Sequence, residues 1–335
     1  MLISICIPTY NRPRNLLDCL NSLSLQTKKN FEVCISDNCS QKNIKKIIKP
    51  FRNKLKIKFR SNNKNLGFAV NLLNVSQMAS GEFIWFLGDD DLLIPTAIEE
   101  LTNIINRNKT TDFFWVNSFY LKFSYLQKFK SPFHPKYLPK NMKKHSMLTE
   151  DKKLKFFELI DKKIGFDYLL GIFVCVFRTS KWKKNLHVID KKLIRHVKPW
   201  SNFENTCFFI KVFCAAFKKS EAYFCSKPLS VNLSEVREWG NLYPFVEIVR
   251  IPEILDYCRS EGMKFYPYLI NKNYALRNFF NYFVKILING KKRGLKYVDF
   301  KKHFFYNLIY PNAWLSILYY LFRNLKTILK KLFIQ

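Results

Sequence analysis

Apolar and polar positions alternate in a strand–helix rhythm along the first 120 residues. Short apolar runs bounded by turn residues predict strands, whereas leucines three and four residues apart predict helices. Strand followed by helix at this interval indicates a parallel sheet with right-handed crossovers. We therefore predict strands at 2–8, 31–36, 55–60, 83–87 and 112–119, and helices at 15–25, 44–51, 65–78 and 94–105.

The pattern is less regular in the rest of the chain. Residues 122–163 are basic and interrupted by prolines, which predicts a long, flexible loop region with at most one helix. A strand is predicted at 172–177, and helices at 206–217, 246–264 and 271–287. We expect one α/β domain over 1–230, with a donor-binding half at 1–120 and an acceptor-binding half at 121–230, followed by a helical region at 231–335.

The last twenty residues combine an apolar stripe with basic side chains. The stripe follows the i, i+3, i+4, i+7 spacing of one helix face. Two interpretations stay open: the helix lies flat on an anionic membrane surface, or it packs on the apolar helix predicted at 271–287. We favour the membrane. The stripe contains Leu318, Leu321, Phe322, Leu325, Ile328, Leu329 and Leu332, and the basic residues are Arg323, Lys326, Lys330 and Lys331.

Charge narrows the set of partners. The 57 Lys and Arg residues against 25 Asp and Glu give a formal net charge of +32. Such a charge favours nucleic acid, anionic lipid or phosphorylated substrates. No RNA-recognition or helix-turn-helix signature is present, so nucleic acid is not expected, although the basic, aromatic stretch at 122–160 keeps a nucleic-acid-binding protein as an alternative.

Compartment and membrane topology follow from other features. The nine cysteines include no C-x-x-C pair, and the chain runs directly into a predicted strand, which favours a reducing cytoplasm. No stretch reaches the about 18–20 uncharged apolar residues that span a bilayer. We expect a cytoplasmic protein, peripheral on the inner face of a bacterial plasma membrane.

Three consecutive aspartates, Asp89, Asp90 and Asp91, follow the apolar strand predicted at 83–87. Ligands in open α/β sheets bind outside the carboxyl ends of strands. Adjacent carboxylates repel one another, and hard divalent cations such as Mn²⁺ or Mg²⁺ take oxygen ligands. A metal site is thus predicted; the alternative is a solvated acidic turn before the helix that starts near Pro95.

Five short motifs, in order, resemble those of the family 2 glycosyltransferases of GT-A fold, and most closely the abequosyltransferase-like proteins of bacterial surface-polysaccharide synthesis. The resemblance covers residues 1 to about 120, roughly a third of the chain. It implies a fold of helices flanking a mostly parallel sheet, and a nucleotide-diphosphate sugar as donor. The motifs are 7–12 (Ile-Pro-Thr-Tyr-Asn-Arg), 36–40, the set Asn65, Gly67 and Asn71, 79–84, and Gly88 to Asp91.

The resemblance also implies residue roles. Thr9 and Tyr10 would flank the nucleobase, and Asp37 would accept a hydrogen bond from it. Asp90 and Asp91 would hold the metal, with Asp91 also close to the reacting donor. Gly88 stands where the family has its first aspartate, which leaves the ribose contact and the coordination number open. The implied nucleotide-sugar residues are Pro8, Thr9, Tyr10, Asn11, Arg12, Asp37, Asn38, Asn65, Gly67, Asn71 and Asp89.

A single inverting displacement, which the resemblance implies, needs a general base for the acceptor hydroxyl. The family supplies it as an Asp or Glu that begins a helix, and Glu204 is our candidate. The alternative for Glu204 is charge complementarity at a helix N-terminus. Asp167 and Glu235 are the reserves, and His196 is assigned to an acceptor loop.

The sequence therefore predicts a metal-dependent, inverting glycosyltransferase. Its expected acceptor is a glycan, lipid-linked or part of lipopolysaccharide or capsule. Besides nucleic-acid binding, the alternative is an inactive glycan- or nucleotide-binding scaffold of the same fold, because fold alone does not establish activity.

Overall fold

The computed structural model describes residues 2–165, 168–198, 200–235 and 239–332. The chain forms two compact units. The first comprises Met1–Pro199 and Glu204–Arg237, and the second comprises Trp200–Phe203 and Glu238–Gln335.

A ten-stranded sheet forms the centre of the first unit. Its strands β1 to β10 run, in chain order, over Ile3–Thr9, Phe31–Asp37, Ile57–Ser61, Phe83–Phe86, Leu92–Leu93, Phe113–Lys122, Lys143–Lys144, Lys152–Lys155, Cys175–Arg178 and Glu221–Ser234. The spatial order is β3-β2-β1-β4-β9-β6-β10-β5, with β7 paired to β6 and β8 to β10.

Parallel pairing runs from β3 through β2 and β1 to β4, as the strand–helix rhythm predicted. Strand β9 is antiparallel to both β4 and β6, and β6 is parallel to β10. The sheet is therefore mixed rather than mostly parallel beyond β4. Because two antiparallel pairings restore direction, β1, β2, β4, β6 and β10 all end at the same edge of the sheet.

Helices cover the sheet and bury the apolar stripes that predicted them. In the first helix, Leu16, Leu20 and Leu23 are fully buried in the main core together with β1 and β4. Proline at its first position suits a helix start, where the missing N–H is not needed. The helices of this unit are α1 Pro13–Ser24, α2 Ile44–Ile48, α3 Phe68–Gln77, α4 Ala97–Arg107, α5 Phe123–Leu126, α6 Thr179–Lys184 and α7 Glu204–Phe217.

Strand β10, 14 residues long, has no counterpart in the sequence prediction. Pro228 interrupts its apolar pattern, and proline inside a sheet is confined to edges and bulges. The pairing with β6 shifts register between Cys225 and Ser230, so the bulge accommodates this proline. The predicted strand at 172–177 is also shorter, because Ile172–Val174 form a 3₁₀ turn before β9.

The segment 122–163, for which a long loop region with one helix was predicted, contains more secondary structure than expected. This segment contains α5, β7 and β8, and Phe133 lies in a small apolar cluster with Leu126 and Val231. Asp18 on α1 accepts hydrogen bonds from Ser131 Oγ at 2.6 Å and from the Phe133 N–H at 2.7 Å. Aromatic burial and this carboxylate fix a segment whose composition lacks a regular period.

The second unit is helical. A π-helical turn, Val246–Arg250, lies between helix α8 (Tyr243–Phe245) and helix α9 (Ile251–Ser260). Helix α9 ends at Ser260, before the predicted end of the helix at 264. The helix predicted at 271–287 is divided between α10 and α11. The helices are α8 Tyr243–Phe245, α9 Ile251–Ser260, α10 Phe265–Ala275, α11 Phe279–Ile288, α12 Phe300–His303 and α13 Pro311–Leu332.

Helix α13 buries a different face from its apolar stripe. Ala313 and Ser316 are buried, and Tyr320 makes an edge contact with Phe280 on α11. Leu318, Leu321 and Phe322 of the stripe are 63%, 56% and 68% exposed. The stripe side chains from Leu325 onward lie outside the described residues. Within the described part of the chain, no helix is long and apolar enough to cross a membrane.

Candidate functional site

The predicted donor-site residues follow strands that end together. Thr9 is the last residue of β1 and Asp37 the last of β2, and the two are register partners. The Asn38 N–H donates to the Thr9 carbonyl at 2.9 Å. Asp89, Asp90 and Asp91 follow β4, which pairs with β1 on the side opposite β2. The parallel sheet thus brings together motifs that are far apart in the sequence.

Asp89 is buried and belongs to a compact polar cluster. The Thr9 hydroxyl donates to Asp89 Oδ2 at 2.7 Å. Arg12 Nη1 lies 3.5 Å from Asp89 Oδ1 and 3.3 Å from Asp90 Oδ2. Burial and the neighbouring Asp90 carboxylate raise the pKa of Asp89 to about 7, although Arg12, Thr9 and the Tyr10 N–H oppose the shift. Burial and the adjacent carboxylate thus disfavour the ionised form of Asp89 in spite of Arg12.

Asp91 turns back towards the protein. Its Oδ2 accepts a hydrogen bond from the Gly88 N–H at 3.0 Å, and its Oδ1 accepts one from Asn232 Nδ2 at 2.8 Å. Asn232 lies on β10 and was missed by the sequence analysis, because an asparagine in an unpredicted strand carries no motif. Asp91 thus shapes the turn, whereas Asp90 is the most exposed of the three carboxylates.

The structure gives a steric reason for Gly88. A Cβ atom at this position would lie 2.6 Å from Asp90 Oδ1 and 2.7 Å from Asp91 Oδ2. The family's first aspartate could not occupy position 88 unless both carboxylates moved. The glycine at position 88 therefore leaves room for the carboxylates of Asp90 and Asp91.

Side-chain amides connect the end of β2 with the start of α3. Asn38 Nδ2 donates to Asn65 Oδ1 at 2.8 Å, and the Leu66 N–H donates to Asn38 Oδ1 at 2.9 Å. Asn71 Nδ2 donates to the Ser36 carbonyl at 3.0 Å. Asn62, which the motifs did not include, donates to both Asn38 and Asn71. The predicted donor-site asparagines thus hold two loops together.

The remaining donor-site residues lie in the first two loops. Asp37 accepts from the Ser40 N–H at 3.1 Å and from Ser61 Oγ at 2.9 Å. Asn11 has a left-handed φ of 55°, and its Oδ1 accepts from the Gln41 N–H at 2.8 Å. Pro8 pairs in register with Ser36. These contacts fix the loops; the proposed contacts with a nucleotide stay predictions.

Glu204 begins α7 and is 5% exposed. Its Oε1 forms an ion pair with Lys211. Its Oε2 is buried without a hydrogen-bond partner in the described parts of the chain. A buried carboxylate oxygen in this state has a free lone pair for a proton.

Asn205 connects the start of α7 with the segment at 196–198, which packs against Gly67 in the loop before α3. Asn205 Nδ2 donates to the carbonyls of His196, at 2.9 Å, and of Lys198. A Cβ atom at Gly67 would lie 3.2 Å from Val197 Cα and 3.4 Å from His196 O. Gly67 has a φ of +83°, so glycine satisfies both the left-handed backbone and this close approach. His196 therefore reaches the donor loop through its backbone.

The other two candidates for the general base are Asp167 and Glu235. Asp167 lies outside the described residues. Glu235 is 47% exposed in its side chain and lies 3.7 Å from Lys122 Nζ. An exposed carboxylate beside a lysine lacks the buried free oxygen of Glu204.

The acidic turn can be compared with the needs of a divalent cation. Among the described residues, no group of three or more His, Cys, Asp or Glu side chains is arranged to hold a metal ion. Asp90 and Asp91 nevertheless supply carboxylate oxygens at the sheet edge, beside Asp89, whose pKa is raised by burial and by the neighbouring Asp90. This donor set fits a hard cation held by one or two carboxylates and substrate phosphates.

A mixed sheet with an acidic turn at the carboxyl end of its central strand defines the GT-A class of nucleotide-sugar transferases. The sequence model of Glycosyl transferase family 2 matches residues 4–166. This segment is a family 2 glycosyltransferase domain, and both the family resemblance and the GT-A fold expected from the sequence are confirmed.

Individual glycosyltransferases are similar to about a third of this chain. The abequosyltransferase RfbV of Salmonella typhimurium is 40% identical over 110 residues, which are 32% of this chain and 33% of that protein. The aligned segment thus spans about a third of this relative. TarS of Staphylococcus aureus, a poly(ribitol-phosphate) beta-N-acetylglucosaminyltransferase, is 32% identical over 111 residues, which are 32% of this chain and 19% of TarS.

Solved structures share the fold. S. aureus TarS 1-349 in complex with UDP has a TM-score of 0.57 at 19% identity, covering 84% of this chain and 72% of that one. The mannosyltransferase PcManGT from Pyrobaculum calidifontis, in complex with GDP-Man and Mn²⁺, has a TM-score of 0.50 at 13% identity, covering 82% and 69%.

Proposed function

We propose that this protein transfers a sugar from a nucleoside diphosphate sugar to a hydroxyl group of a glycan acceptor. The observation that carries the proposal is the position of Asp89–Asp91 at the sheet edge where β1 and β2 also end. In the family 2 context, this edge is where the resemblance puts the donor. The solved relatives in complex with UDP and with GDP-Man support a nucleotide sugar as ligand.

Asp90 is the principal residue proposed to hold a divalent cation, since its carboxylate is the most accessible of the three. Asp91 remains the second proposed ligand, because its carboxylate follows Asp90 directly in the same turn. Bound Mn²⁺ or Mg²⁺ would offset the charge that develops on the leaving diphosphate. Arg12 already contacts Asp89 and Asp90 and adds a fixed positive charge beside the proposed site.

We propose an inverting displacement with Glu204 as general base. The acceptor oxygen forms a bond to the anomeric carbon while the bond to the diphosphate oxygen breaks. The acceptor proton passes to Glu204 Oε2, the buried oxygen without a hydrogen-bond partner in the described residues. Lys211 orients the carboxylate through its other oxygen. Asn205 supports this location, since it ties the start of α7 to the segment packed on Gly67.

The proposed acceptor is a glycan, lipid-linked or part of a bacterial surface polysaccharide such as lipopolysaccharide or capsule. Similarity to an abequosyltransferase and to a poly(ribitol-phosphate) glycosyltransferase supports a polyhydroxylated polymer.

The proposed location is the inner face of the bacterial plasma membrane. Helix α13 supports it, because Leu318, Leu321 and Phe322 are exposed with Arg323 beside them. Apolar side chains next to basic ones suit a helix that lies in the surface of an anionic membrane.

A donor screen tests the central proposal. Thermal unfolding is measured with UDP-, GDP-, CMP- and dTDP-sugars, each with and without Mn²⁺. A ligand at 100 times its dissociation constant stabilises the folded state by about 2.7 kcal/mol. We expect one nucleotide class to raise the melting temperature and to be hydrolysed slowly. No shift and no hydrolysis with any of them would overturn the proposal.

A further inference from the structure

A second concave site lies in the first unit, at the carboxyl end of β6. It is a cavity of about 330 Å³ lined by the rings of Tyr120 and Tyr125 and by Lys122, Lys128 and Lys143. None of these residues belongs to the donor site or to the proposed base. The cavity belongs to the basic, aromatic stretch from which the nucleic-acid alternative was drawn.

The sheet register connects this cavity with the acidic turn. Tyr120 pairs with Lys143 on β7 at one side and with Asn232 on β10 at the other. Register partners project from the same face of a sheet. Asn232 in turn donates to Asp91 at 2.8 Å. Two strand spacings separate Lys143 from Asn232, on the order of 10 Å. The cavity is thus a few sugar units at most from the reacting edge.

The cavity wall is held in place from several sides. Tyr125 Oη donates to the Tyr137 carbonyl at 2.9 Å, and Tyr120 Oη is hydrogen-bonded to His145 Nδ1. Asn21 on α1 donates to the Phe133 carbonyl at 2.9 Å, and Asp18 accepts from Ser131 and Phe133. A site whose rings and backbone are already fixed loses little entropy when it binds.

The charge around the cavity selects the ligand. Lys128 and Lys143 are exposed, and the ammonium group of Lys128 lies 5.8 Å from the centre of the Tyr125 ring. Lys122 has a carboxylate nearby, Glu235 at 3.7 Å. Lysines supply point charges for an anion, while aromatic faces and a few polar groups are the usual lining of a pocket for an organic ligand. The combination matches a sugar that carries a negative group.

The geometry favours a glycan over a nucleic acid. Single-stranded nucleic acid is bound along a groove with a succession of free aromatic faces. In this segment Phe129 stacks on Tyr137 at 5.0 Å and Phe133 is buried, while Tyr125 contacts Phe129 at 5.3 Å and Tyr120 contacts His145 at 5.1 Å, so these rings do not form a succession of open faces. An open cavity of about 330 Å³ that includes two tyrosines in its lining offers room for one or two monosaccharides.

We propose that this cavity is an acceptor subsite for an anionic sugar unit, one that bears a phosphate or a carboxylate. The inference rests on the proposed glycosyltransferase function and specifies its acceptor. Lys128 and Lys143 bind the anionic group, and Tyr125 packs on the apolar face of the ring.

Binding of three tetrasaccharides to the full chain tests the proposal: maltotetraose, maltotetraose with a terminal 6-phosphate, and tetragalacturonate. Affinity is measured by calorimetry and saturation-transfer NMR at constant salt. The variant Lys128→Gln/Lys143→Gln is compared with Lys130→Gln/Lys136→Gln, which removes the same charge from the same segment outside the cavity lining. We expect the first variant to lose at least about tenfold in affinity for the anionic probe, and the control to change less than about twofold.

The two anionic probes distinguish phosphate from carboxylate, and binding of either one supports the subsite. Equal affinity for maltotetraose, or equal losses in both double variants, would overturn it. So would tight binding of a single-stranded oligonucleotide that only the cavity variant loses, in the absence of glycan binding. Donor hydrolysis distinguishes failure of the subsite from failure of the proposed function. Hydrolysis that persists without probe binding overturns the subsite alone. Absence of hydrolysis in the unmodified protein contradicts the proposed function.

Discussion

Asn232 Nδ2 lies 2.8 Å from Asp91 Oδ1 and donates a hydrogen bond to it. This bond joins β10 to the acidic turn after β4, in addition to the antiparallel pairing of β10 with β5 directly after the turn. Both side chains are buried, so water does not compete for the bond. The shape of the acidic turn therefore depends on β10 as well as on the strand that precedes it.

Replacing this asparagine tests that dependence. Asn232→Leu keeps the volume but removes the donor, and a lost hydrogen bond to a charged group costs about 1.5–3 kcal/mol. We expect a lower unfolding free energy and a reduced apparent Mn²⁺ affinity, measured by donor hydrolysis against metal concentration. Ser230→Ala is the matched control, because it removes a buried bond to Ser118 in the same strand. If both variants respond equally to Mn²⁺, the bond has no special relation to the turn.

The second prediction concerns the cation. EDTA should abolish transfer and Mn²⁺ or Mg²⁺ should restore it. Asp90→Ala should lower turnover by about 10²-fold or more while the protein stays folded, because the developing diphosphate charge loses its stabilisation. Thermal unfolding checks the fold, and Glu99→Gln on α4 serves as an exposed acidic control. Full turnover in EDTA would remove the metal from the mechanism.

A third prediction addresses the base. Glu204→Gln retains the shape of the side chain but cannot take the acceptor proton, so turnover should fall by about 10²–10⁴-fold with donor binding unchanged. Lys211→Met distinguishes a catalytic role of Glu204 from a structural one, because it removes the ion-pair partner and leaves the carboxylate. A structural Glu204 would make Lys211→Met as damaging to turnover as Glu204→Gln.

Acid stability provides a prediction that is independent of catalysis. Burial opposes the charge of Glu32, but hydrogen bonds from Ser4, Ser80 and Lys58 outweigh it and lower its pKa to about 2. A lowered pKa adds stability above the unfolded value of 4.5, and this stability is lost as pH falls from there towards about 2. The contribution is on the order of 3 kcal/mol.

Unfolding by urea at pH 6, 4.5 and 3 measures this dependence. Glu32→Gln should be less stable at pH 6 and should show a flatter fall in unfolding free energy with acid. Glu221→Gln, an exposed carboxylate on β10, is the control. Parallel pH curves for Glu32→Gln and the unmodified protein would exclude Glu32 as the source.

The fifth prediction concerns α13. The variant Leu318→Ser/Leu321→Ser/Phe322→Ser should sediment less with anionic vesicles, because fully burying each such side chain contributes about 1.5–3 kcal/mol. Phe265→Ser/Tyr266→Ser on α10 removes exposed apolar side chains from the same unit. Equal sedimentation of both variants with anionic and neutral vesicles would contradict a membrane role for the stripe.

The donor half was predictable because its information is local. The strands β1, β2 and β4 are short, mainly apolar runs, and Asp89–Asp91 directly follow one of them. The contacts of those residues were not predictable. Arg12 is 78 residues from Asp90, and only the parallel order of β1 and β4 brings them together.

The acceptor half was harder because its order depends on distant partners. Pro228 conceals β10 in the sequence, and the cluster around Phe133 forms only where α1 contributes Asp18. On α13 the apolar pattern was identified, but the helix packs through the small side chains Ala313 and Ser316, which carry little hydrophobic signal.

The amide network of Asn38, Asn62, Asn65 and Asn71 gives the donor loops an uncharged framework. Carboxamides do not titrate in the physiological range, and their bonds are only weakly affected by ionic strength. The framework of the proposed donor site is thus decoupled from proton and salt concentration, while the neighbouring acidic turn remains free to respond to both. One edge of the sheet therefore combines an uncharged amide framework with a carboxylate cluster that responds to pH and ionic strength.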